Sequence, residues 1–561
     1  MYAGKTSSVP IPNVGHVHIN SKGYVYWEDD GKWDNERKRT VDGRKSIGKV
    51  DPDSKGHMFP NKEYFLIFDD TNPATGMAPE LTEPPALSKT LNYGAYIALR
   101  TSAEKIGCID ALQKTFPNIW DRIFAAALHS IIAENSVAQD VSYWCFHNYC
   151  GLPAPLSSSE MSRLYEAIVK APESIPDFIY RFKESYHQQF PESDETVVGF
   201  DSTNQNTFSE NIGLAEYGHP KVREGLPDIN TGLFVDENTG IPLYYEHFFG
   251  SLLDKTQAPF TLEKVEDLGF RKLFLMMDRG YFSQKTLEAA DEFGFGIMCP
   301  GGLNFVKDLL KEYSEKIKDK ERYYIPDEDI YGIRVSNVSA CGNNYDCFVY
   351  YDSRRAEDER ATIHTKLEVM KKNAYSRKRY SQKLHDIFAP WFEISPCEKD
   401  PETGRSFIVK ENSRYIQKCL DRAGFFVILS NMHIDAHRMI RIARLRDSNE
   451  KAFKRIKSNF DLSKTYSHNI RTYEGKMFIA FVALIIVEAY RWYIRPELKA
   501  ITSTTTATTI GELNKYQIQL KRDGSWMPMY AFTKKQRQLF SHLQLTEAKV
   551  RKEIDQLRLR V

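Results

Sequence analysis

DETVVGFDSTN, from Asp194 to Asn204, is the stretch that sets the fold class of this chain. Its residues 196–200 form a short, nearly continuous apolar run that ends at Asp201. A run of this length is typical of a strand that is buried on both faces of a sheet. The pattern predicts a buried strand that presents the Asp201 carboxylate at its end.

The same pattern returns in RKLFLMMDRGYFS, residues 271–283, where a second apolar run ends at Asp278. Between the two runs, residues 229–248 predict a hairpin with Asn238-Thr239-Gly240 at its turn. A helix near 284–293 and further strands complete the pattern. Three antiparallel strands, a crossover and additional strands predict an α/β layer.

A third acidic residue, Glu450, lies in the basic stretch LRDSNEKAFKRIKSNF, residues 445–460. The apolar residues recur at helical spacing, and Asp435 is a suitable N-cap for the helix. Arg446, Glu450 and Lys454 lie four residues apart, so they could form a solvated face with ion pairs worth about 0.2–0.5 kcal/mol each. The alternative is a metal-binding carboxylate whose cationic neighbours, including Lys457, hold phosphate oxygens.

The composition indicates a folded chain that contacts a long polyanion. The 561 residues are 42% hydrophobic and 27% charged, which suits three to five globular domains. The net charge is only +1, but residues 366–383, 435–457 and 515–561 are each strongly basic. Basic faces on separate segments suit a protein that wraps nucleic acid.

The alternation of strand and helix patterns predicts a multidomain α/β protein with a β-rich N-terminal module, a helical domain, an α/β core split by an insertion, and a basic helical tail. The expected boundaries are 1–84 for the N-terminal module and 85–195 for the helical domain. The core is expected at 196–302 and 423–500, the insertion at 303–422 and the tail at 501–561.

No pattern in the sequence predicts export or a membrane span. The N-terminal residues lack a charged-then-apolar leader, and the apolar run 477–487 is too short to cross a bilayer and predicts a buried core helix. The eight cysteines show no zinc-finger spacing, so we expect reduced thiols in a cytoplasmic protein.

The three carboxylates Asp201, Asp278 and Glu450 come from three separate elements. Two Mg²⁺ ions about 3.5–4 Å apart need shared carboxylate ligands on rigid elements. Such a pair activates a water or a 3′-hydroxyl on one side and stabilises the leaving oxygen on the other. The arrangement predicts metal-dependent cleavage of phosphodiesters.

The order of these motifs resembles the DDE transposases of bacterial insertion sequences, specifically the insertion-sequence-four superfamily. The third acidic motif of that superfamily reads Y-x2-R-x3-E-x6-K, and its last three positions are met by Arg446, Glu450 and Lys457. Ala443 stands at the tyrosine position, so the resemblance does not extend to the residue associated with hairpin processing. GFDSTN, GIPLYYEHFFGSLLDKTQ and MDRGYFS match as well, and the likeness covers nearly the whole chain.

The resemblance implies an RNase H-like catalytic core interrupted by a β-rich insertion. It implies that Asp201, Asp278 and Glu450 are catalytic and hold two Mg²⁺ ions, for which Mn²⁺ could substitute. It also implies that the partner is double-stranded DNA, both the terminal inverted repeats and the target. A homodimer would bridge two DNA ends, and the protein would lie in the bacterial cytoplasm at the nucleoid. The expected DNA contacts are Arg279, Arg446, Lys454 and Lys457.

Parts of the sequence suggest two functions other than transposition. FDSTN echoes the phosphoaspartate loop of haloacid-dehalogenase-like phosphatases, but Thr203 stands where that loop needs a second acid. A transposase-derived DNA-binding protein that has lost transposition remains the alternative. His433 and His437 lie four apart without the glutamate of a zinc-protease motif, so we expect packing or surface roles for them.

Overall fold

A computed structural model describes residues 8–13, 16–34, 39–68, 89–191, 196–218, 225–270, 273–379, 381–445, 447–500, 503–521 and 523–557. The chain divides into two compact units, Met1–Lys89 and Thr90–Val561.

The first unit is a five-stranded antiparallel sheet with one short helix, as the strand patterns predicted for the N-terminal module. The sheet order is β1-β5-β4-β3-β2. Asn61 caps the helix by accepting hydrogen bonds from the backbone N–H groups of Glu63 and Tyr64. The elements are β1 (Val9–Pro10), β2 (Val17–Ile19), β3 (Tyr24–Asp34), β4 (Arg39–Val50), β5 (His57–Pro60) and α1 (Lys62–Ile67).

The second unit begins with a short strand and six helices, as the helical periodicity predicted. We expected Ser158 or Ser159 to cap one of them, but the N-cap is Ser157, which shares a reciprocal capping box with Glu160. Ser157 is the residue whose backbone is still extended, and its side chain can therefore reach the first turn. The elements are β6 (Thr90–Asn92), α2 (Gly94–Lys105), α3 (Cys108–Thr115), α4 (Trp120–Ile132), α5 (Asp140–His147), α6 (Ser158–Ile168) and α7 (Ser174–Gln189).

A large mixed sheet follows. Its first three strands form an antiparallel meander, and a helical crossover leads to two strands that run parallel to the first. The predicted hairpin turn is confirmed, and Gly240 takes the positive φ of 80° that the turn requires. The elements are β7 (Val197–Thr207), β8 (Asp228–Asp236), β9 (Pro242–Phe249), α8 (Asp254–Asp267), β10 (Phe274–Met277), α9 (Gln284–Ala290) and β11 (Gly294–Met298).

Strand β7 is longer than the apolar run predicted. It continues through Asp201 to Thr207, so Asp201 lies inside the strand and not at its end. The polar residues that follow are buried because the fold satisfies their hydrogen bonds. For example, the Gln205 side chain donates to the Leu462 carbonyl, and the Asn206 amide donates to the Asp228 carboxylate at 2.6 Å.

The same sheet extends into the segment where we predicted the insertion. The strand order is β12-β13-β14-β17-β11-β10-β7-β8-β9, so three strands between residues 324 and 351 join the main layer. A two-stranded ribbon and three helices then form a small cluster of their own. The elements are α10 (Asn304–Ile317), β12 (Tyr324–Ile325), β13 (Ile330–Ala340), β14 (Asn343–Tyr351), α11 (Ser353–Tyr375), α12 (Gln382–Phe388), β15 (Phe392–Pro396), β16 (Phe407–Glu411), α13 (Ser413–Arg422) and β17 (Phe425–Ser430).

The helix expected to carry Glu450 consists of two helices, α14 (Ala436–Leu445) and α15 (Asp447–Lys454). Asp435 caps the first, as predicted, by accepting from the Arg438 N–H at 2.7 Å. A π-helical turn, Arg455–Asn459, follows α15. Strand β18 (Lys464–Thr465) then pairs with β7 in parallel.

The predicted core helix is α16 (Ile470–Tyr493), which is buried along most of its length. It packs against α2, α4 and α6, so the N-terminal helices and the sheet share one hydrophobic core. Thr533 and Gln536 form a reciprocal capping box at the start of the helix Lys534–His542. The remaining elements are α17 (Arg495–Ala500), α18 (Thr506–Asn514), β19 (Gln517–Leu520), β20 (Trp526–Pro528), α19 (Lys534–His542) and α20 (Glu547–Gln556).

Throughout the described ranges, every helix is too short or too polar to span a lipid bilayer.

Candidate functional site

Two of the three predicted acids come from neighbouring parallel strands. In the register of β7 and β10, Phe200 pairs with Met277. Asp201 and Asp278 are the next residues on each strand, and the backbone of Asp278 is still extended. Because paired strands lie about 4.8 Å apart, the two aspartates occupy adjacent positions where β10 ends.

Both aspartates belong to the same face of the sheet. Side chains alternate between faces, so Asp201 shares a face with Val197, and Asp278 shares one with Met276. These two apolar residues pack in one cluster with Met439 of α14. The aspartates therefore lie on the face that α14 covers.

Glu450 follows on the next helix, which runs along this face. Helix α15 contacts β7 and β8. The chain passes from the Val197 end of β7, which contacts α14, to the Asn206 end, which pairs with Lys464. Glu450 lies between these two points, so α15 carries it along the part of β7 that includes Asp201.

The contact of Lys457 relates the position of α15 to that of strand β7. Burial raises the pKa of the Asp228 carboxyl, which pairs with Asn206, and the charge of the Lys457 ammonium offsets part of this rise. Glu450 is seven helical residues before Lys457, or about 10 Å. Asp201 is five strand residues before Asn206, or about 17 Å. Glu450 thus lies on the Asp201 side of the position at which Lys457 faces Asp228.

The carboxylates at the end of β10 influence one buried tyrosine. Burial raises the pKa of Tyr281, and the charges of Asp254, Asp201 and Asp278 raise it further. Tyr281 packs against Phe200 on the opposite face of the sheet, with ring centroids 4.9 Å apart. It therefore stays protonated and forms an apolar floor beneath the acids.

Backbone amides orient both aspartates. Asp201 Oδ1 accepts from the Ser202 N–H at 2.8 Å, and Asp278 Oδ1 accepts from the Arg279 N–H at 2.6 Å. Each carboxylate accepts one such bond through Oδ1. Both side chains are partly exposed. A carboxylate held in this way is a suitable hard ligand for Mg²⁺.

The donor chemistry of the three carboxylates fits a divalent ion. Among the residues that the structure describes, no three His, Cys, Asp or Glu side chains lie close enough to hold a metal ion together. Asp201 and Asp278 occupy adjacent positions, and Glu450 lies on a helix that contacts β7. The metal triad therefore stays a prediction.

The predicted DNA-contacting cations lie in different places. Arg279 is exposed next to Asp278, and Lys454 is exposed at the end of α15. Lys457 lies in the π-helical turn and faces Asp228. Arg446 lies outside the described residues.

The sequence did not indicate two carboxylates, Asp254 and Asp228, that accept hydrogen bonds from polar side chains of β7. Ser202 Oγ donates to Asp254 Oδ1 at 2.5 Å, on the face opposite the aspartates. Asp228 is almost fully buried next to Asn206. The residues after Asp201 form a continuous polar run, so nothing in the sequence indicated that the strand continues or which carboxylates face it.

The two histidines have separate carboxylate partners. His433 lies 2.9 Å from Asp346, and His437 lies 3.5 Å from Asp327. Their side chains are 78% and 45% exposed, which agrees with the surface role among the packing or surface roles expected for them.

Comparison with known proteins gives the family. A family model described as a transposase DDE domain matches residues 192–486, which is more than half of the chain and includes all three acids. No curated protein matches. The cryo-EM structure of a piggyBac transposase synaptic complex with hairpin DNA is similar over 75% of this chain and 79% of that chain, at 8% identity and a TM-score of 0.35. A likeness this low does not define the fold. On the strength of the family match, the chain belongs to the DDE transposases.

Proposed function

We propose that this chain is the transposase of a bacterial insertion sequence of the insertion-sequence-four superfamily. In this proposal it binds the terminal inverted repeats of its element, cleaves the DNA strands there and transfers them to target DNA by cut-and-paste transposition. The observation that carries the proposal is the register of β7 and β10, which makes Asp201 and Asp278 neighbours on one face of the sheet. Both lie inside the matched family segment.

The proposed catalytic residues are Asp201, Asp278 and Glu450 in an RNase H-like core. The meander, crossover and parallel strands support that core. The three carboxylates would hold two Mg²⁺ ions, or Mn²⁺ in their place. Bound there, the ions would supply an activated water or 3′-hydroxyl and a stabilised leaving oxygen.

The roles of the protein groups follow from their positions. Asp201 and Asp278 are fixed by the sheet, so they would define the place of the scissile phosphate. Glu450 is carried by a short helix, and we propose that α15 brings it to the aspartates when metal and DNA bind. Arg279 and Lys454 are exposed next to the acids and would contact DNA phosphates.

The remaining contacts belong to the same proposal. Lys457 and Arg446 would bind the transposon end, as the third acidic motif implies. The N-terminal module and the segment 303–422 would recognise the inverted repeats, and a homodimer would bridge two ends.

The test uses a linear DNA fragment with the ends of the element that encodes the chain. Asp201→Asn, Asp278→Asn and Glu450→Gln should each abolish Mg²⁺-dependent cleavage while DNA binding persists. Glu263→Gln, an exposed carboxylate on α8, is the matched control and should cleave normally. Normal cleavage by any of the first three variants would show that the triad is misassigned.

One observation favours the alternative, a transposase-derived DNA-binding protein without transposition. In the described part of the chain, no three His, Cys, Asp or Glu side chains form a group that could hold a metal ion. Titration of the DNA-bound protein with Mn²⁺, followed by electron paramagnetic resonance, separates the two functions. Tight Mn²⁺ binding that Glu450→Gln weakens supports the transposase, whereas DNA binding without Mn²⁺ binding supports the alternative.

A further inference from the structure

The start of α8 lies against the strand that carries Asp201. Asp254 is the first residue of α8, and its Oδ1 accepts a hydrogen bond from Ser202 Oγ at 2.5 Å. Ser202 follows Asp201 on β7 and is buried, and its N–H donates to Asp201 Oδ1 at 2.8 Å. A single residue of β7 therefore links the carboxylate of Asp254 to that of Asp201.

The same helix also contacts the segment that follows Asp278. Helix α8 packs against the helical turn Arg279–Tyr281, which begins directly after Asp278. Burial raises the pKa of Tyr281, and among the carboxylates that raise it further Asp254 has the largest effect. Asp254 is therefore close to the turn after Asp278 as well as to β7.

The loop before α8 is attached to the neighbouring strand. The Asn230 side chain on β8 donates to the carbonyls of Phe249 and Leu252 at 2.9 and 3.1 Å. These bonds fix the backbone just before Asp254 relative to the sheet. The carboxylate of Asp254 is thus held at a defined point beneath the two aspartates.

The two aspartates lie just beyond the paired part of their strands. The last residues paired between β7 and β10 are Phe200 and Met277, and each aspartate is the next residue. A side-chain contact at this point can therefore set the separation of the two carboxylates. That separation matters because Mg²⁺ requires ligands at about 2.0–2.1 Å in near-ideal octahedral geometry.

We propose that Asp254 is a positioning residue for Asp201 and Asp278. Its bond to Ser202 and the packing of α8 against the turn 279–281 set the separation of the two carboxylates. The affinity of the site for Mg²⁺ or Mn²⁺ depends on this separation. The inference rests on the proposed function and adds to it a residue that acts through Ser202, without binding metal or DNA itself.

The experiment is titration of the DNA-bound full chain with Mn²⁺, followed by electron paramagnetic resonance. Asp254→Ala and Ser202→Ala should each weaken Mn²⁺ binding about tenfold, the lower end of the usual effect of removing a group that orients a metal ligand. The double variant should lose no more than either single variant, because both changes remove the same bond. Asp254→Asn keeps an oxygen that can accept from Ser202, so it should bind Mn²⁺ more tightly than Asp254→Ala does.

Gln257→Ala is the matched control. Gln257 lies on the same helix and donates to Glu246 of β9 at 3.0 Å, so its loss removes another bond between α8 and the sheet. This variant should lower stability in urea about as much as Asp254→Ala does, but it should leave the affinity for Mn²⁺ unchanged.

Cleavage gives a second measurement that separates positioning from damage to the fold. Asp254→Ala should raise the Mn²⁺ concentration that gives half of the maximal rate, and saturating Mn²⁺ should restore most of the rate. A merely structural defect would instead lower the rate at every Mn²⁺ concentration, which would contradict the proposal.

The outcomes distinguish this inference from the proposed function. If the original chain does not bind Mn²⁺ on DNA, both are wrong. If it binds Mn²⁺ and neither Asp254→Ala nor Ser202→Ala weakens binding, or if Gln257→Ala weakens it equally, this inference alone is wrong. Equal losses in Asp254→Asn and Asp254→Ala, without a loss in Ser202→Ala, would show that the charge of Asp254 acts directly and would also refute positioning.

Circular dichroism checks that each variant is folded. If Asp254→Ala does not fold, Ser202→Ala decides the question. Asp254 is partly exposed, so water can hydrate its carboxylate when the Ser202 hydroxyl is absent.

Discussion

Replacing Glu488 with glutamine should destabilise the second unit by about 3 kcal/mol, the lower end of the cost of breaking a buried ion pair. The Glu488 side chain is 2% exposed, and its partners Arg455 and Arg491 are 18% and 31% exposed. Glutamine keeps the shape of the side chain but removes the charge, so two mostly buried guanidiniums would face each other. The lower end applies because Arg491 can move partly into solvent.

Arg491→Gln is the matched comparison, because it removes a charge from the same group. It leaves Arg455 paired with Glu488, and it removes an ion pair from a side chain that is about a third exposed. We expect a cost below about 1 kcal/mol. The difference of about 2 kcal/mol between the two variants is the effect of charge balance alone.

Urea unfolding of the full chain, followed by circular dichroism, measures both free energies under the same conditions. Arg455 begins the π-helical turn after α15, so Glu488→Gln should also lower the affinity of the DNA-bound protein for Mn²⁺ by loosening the helix of Glu450. If Glu488→Gln is as stable as the original chain, or no less stable than Arg491→Gln, the reasoning about the buried charges fails.

Three further changes have expected results. Lys457→Ala should lower the slope of log affinity for the element's ends against log salt by about 0.9, the value of one phosphate contact, and an unchanged slope would remove Lys457 from the interface. Gly475→Ala should cost about 1–3 kcal/mol in urea unfolding, because the new Cβ would meet the Tyr165 carbonyl oxygen at 2.2 Å, whereas Gly511→Ala, with open space around it, should not destabilise the chain. Burial lowers the pKa of His247 to about 3, so acid favours the unfolded chain, whose imidazole takes up a proton near pH 6.5. Between pH 7 and pH 5 this residue should cost about 2 kcal/mol of stability, and His247→Gln should remove that part of the pH dependence.

The buried strands were predictable from local pattern. The apolar runs before Asp201 and Asp278 appear as β7 and β10, and the hairpin and the core helix α16 lie where periodicity predicted them. These elements are recognisable because burial on a sheet or in a helix core requires a particular spacing of apolar residues.

The end of β7 was not predictable in the same way. The residues after Asp201 are polar, and polar runs usually indicate loops. They form a strand because partners distant in sequence, such as Leu462 and Asp228, accept their hydrogen bonds. Likewise, the strands at 324–351 look like part of a separate insertion in the sequence, and only their pairing with β17 joins them to the main sheet.

The sequence by itself determined which residues are candidates for chemistry: two acids after buried runs and a third on a basic helix. Tertiary structure decided how they are arranged. Backbone hydrogen bonds between β7 and β10 set Asp201 beside Asp278, and packing of α14 and α15 sets how far along β7 Glu450 lies. The shared use of Glu488 by two arginines is also a tertiary result, because no local pattern specifies that Arg455 and Arg491, 36 residues apart, must be balanced by one carboxylate. Side-chain spacing is a local property, whereas strand register and charge balance depend on contacts between distant segments.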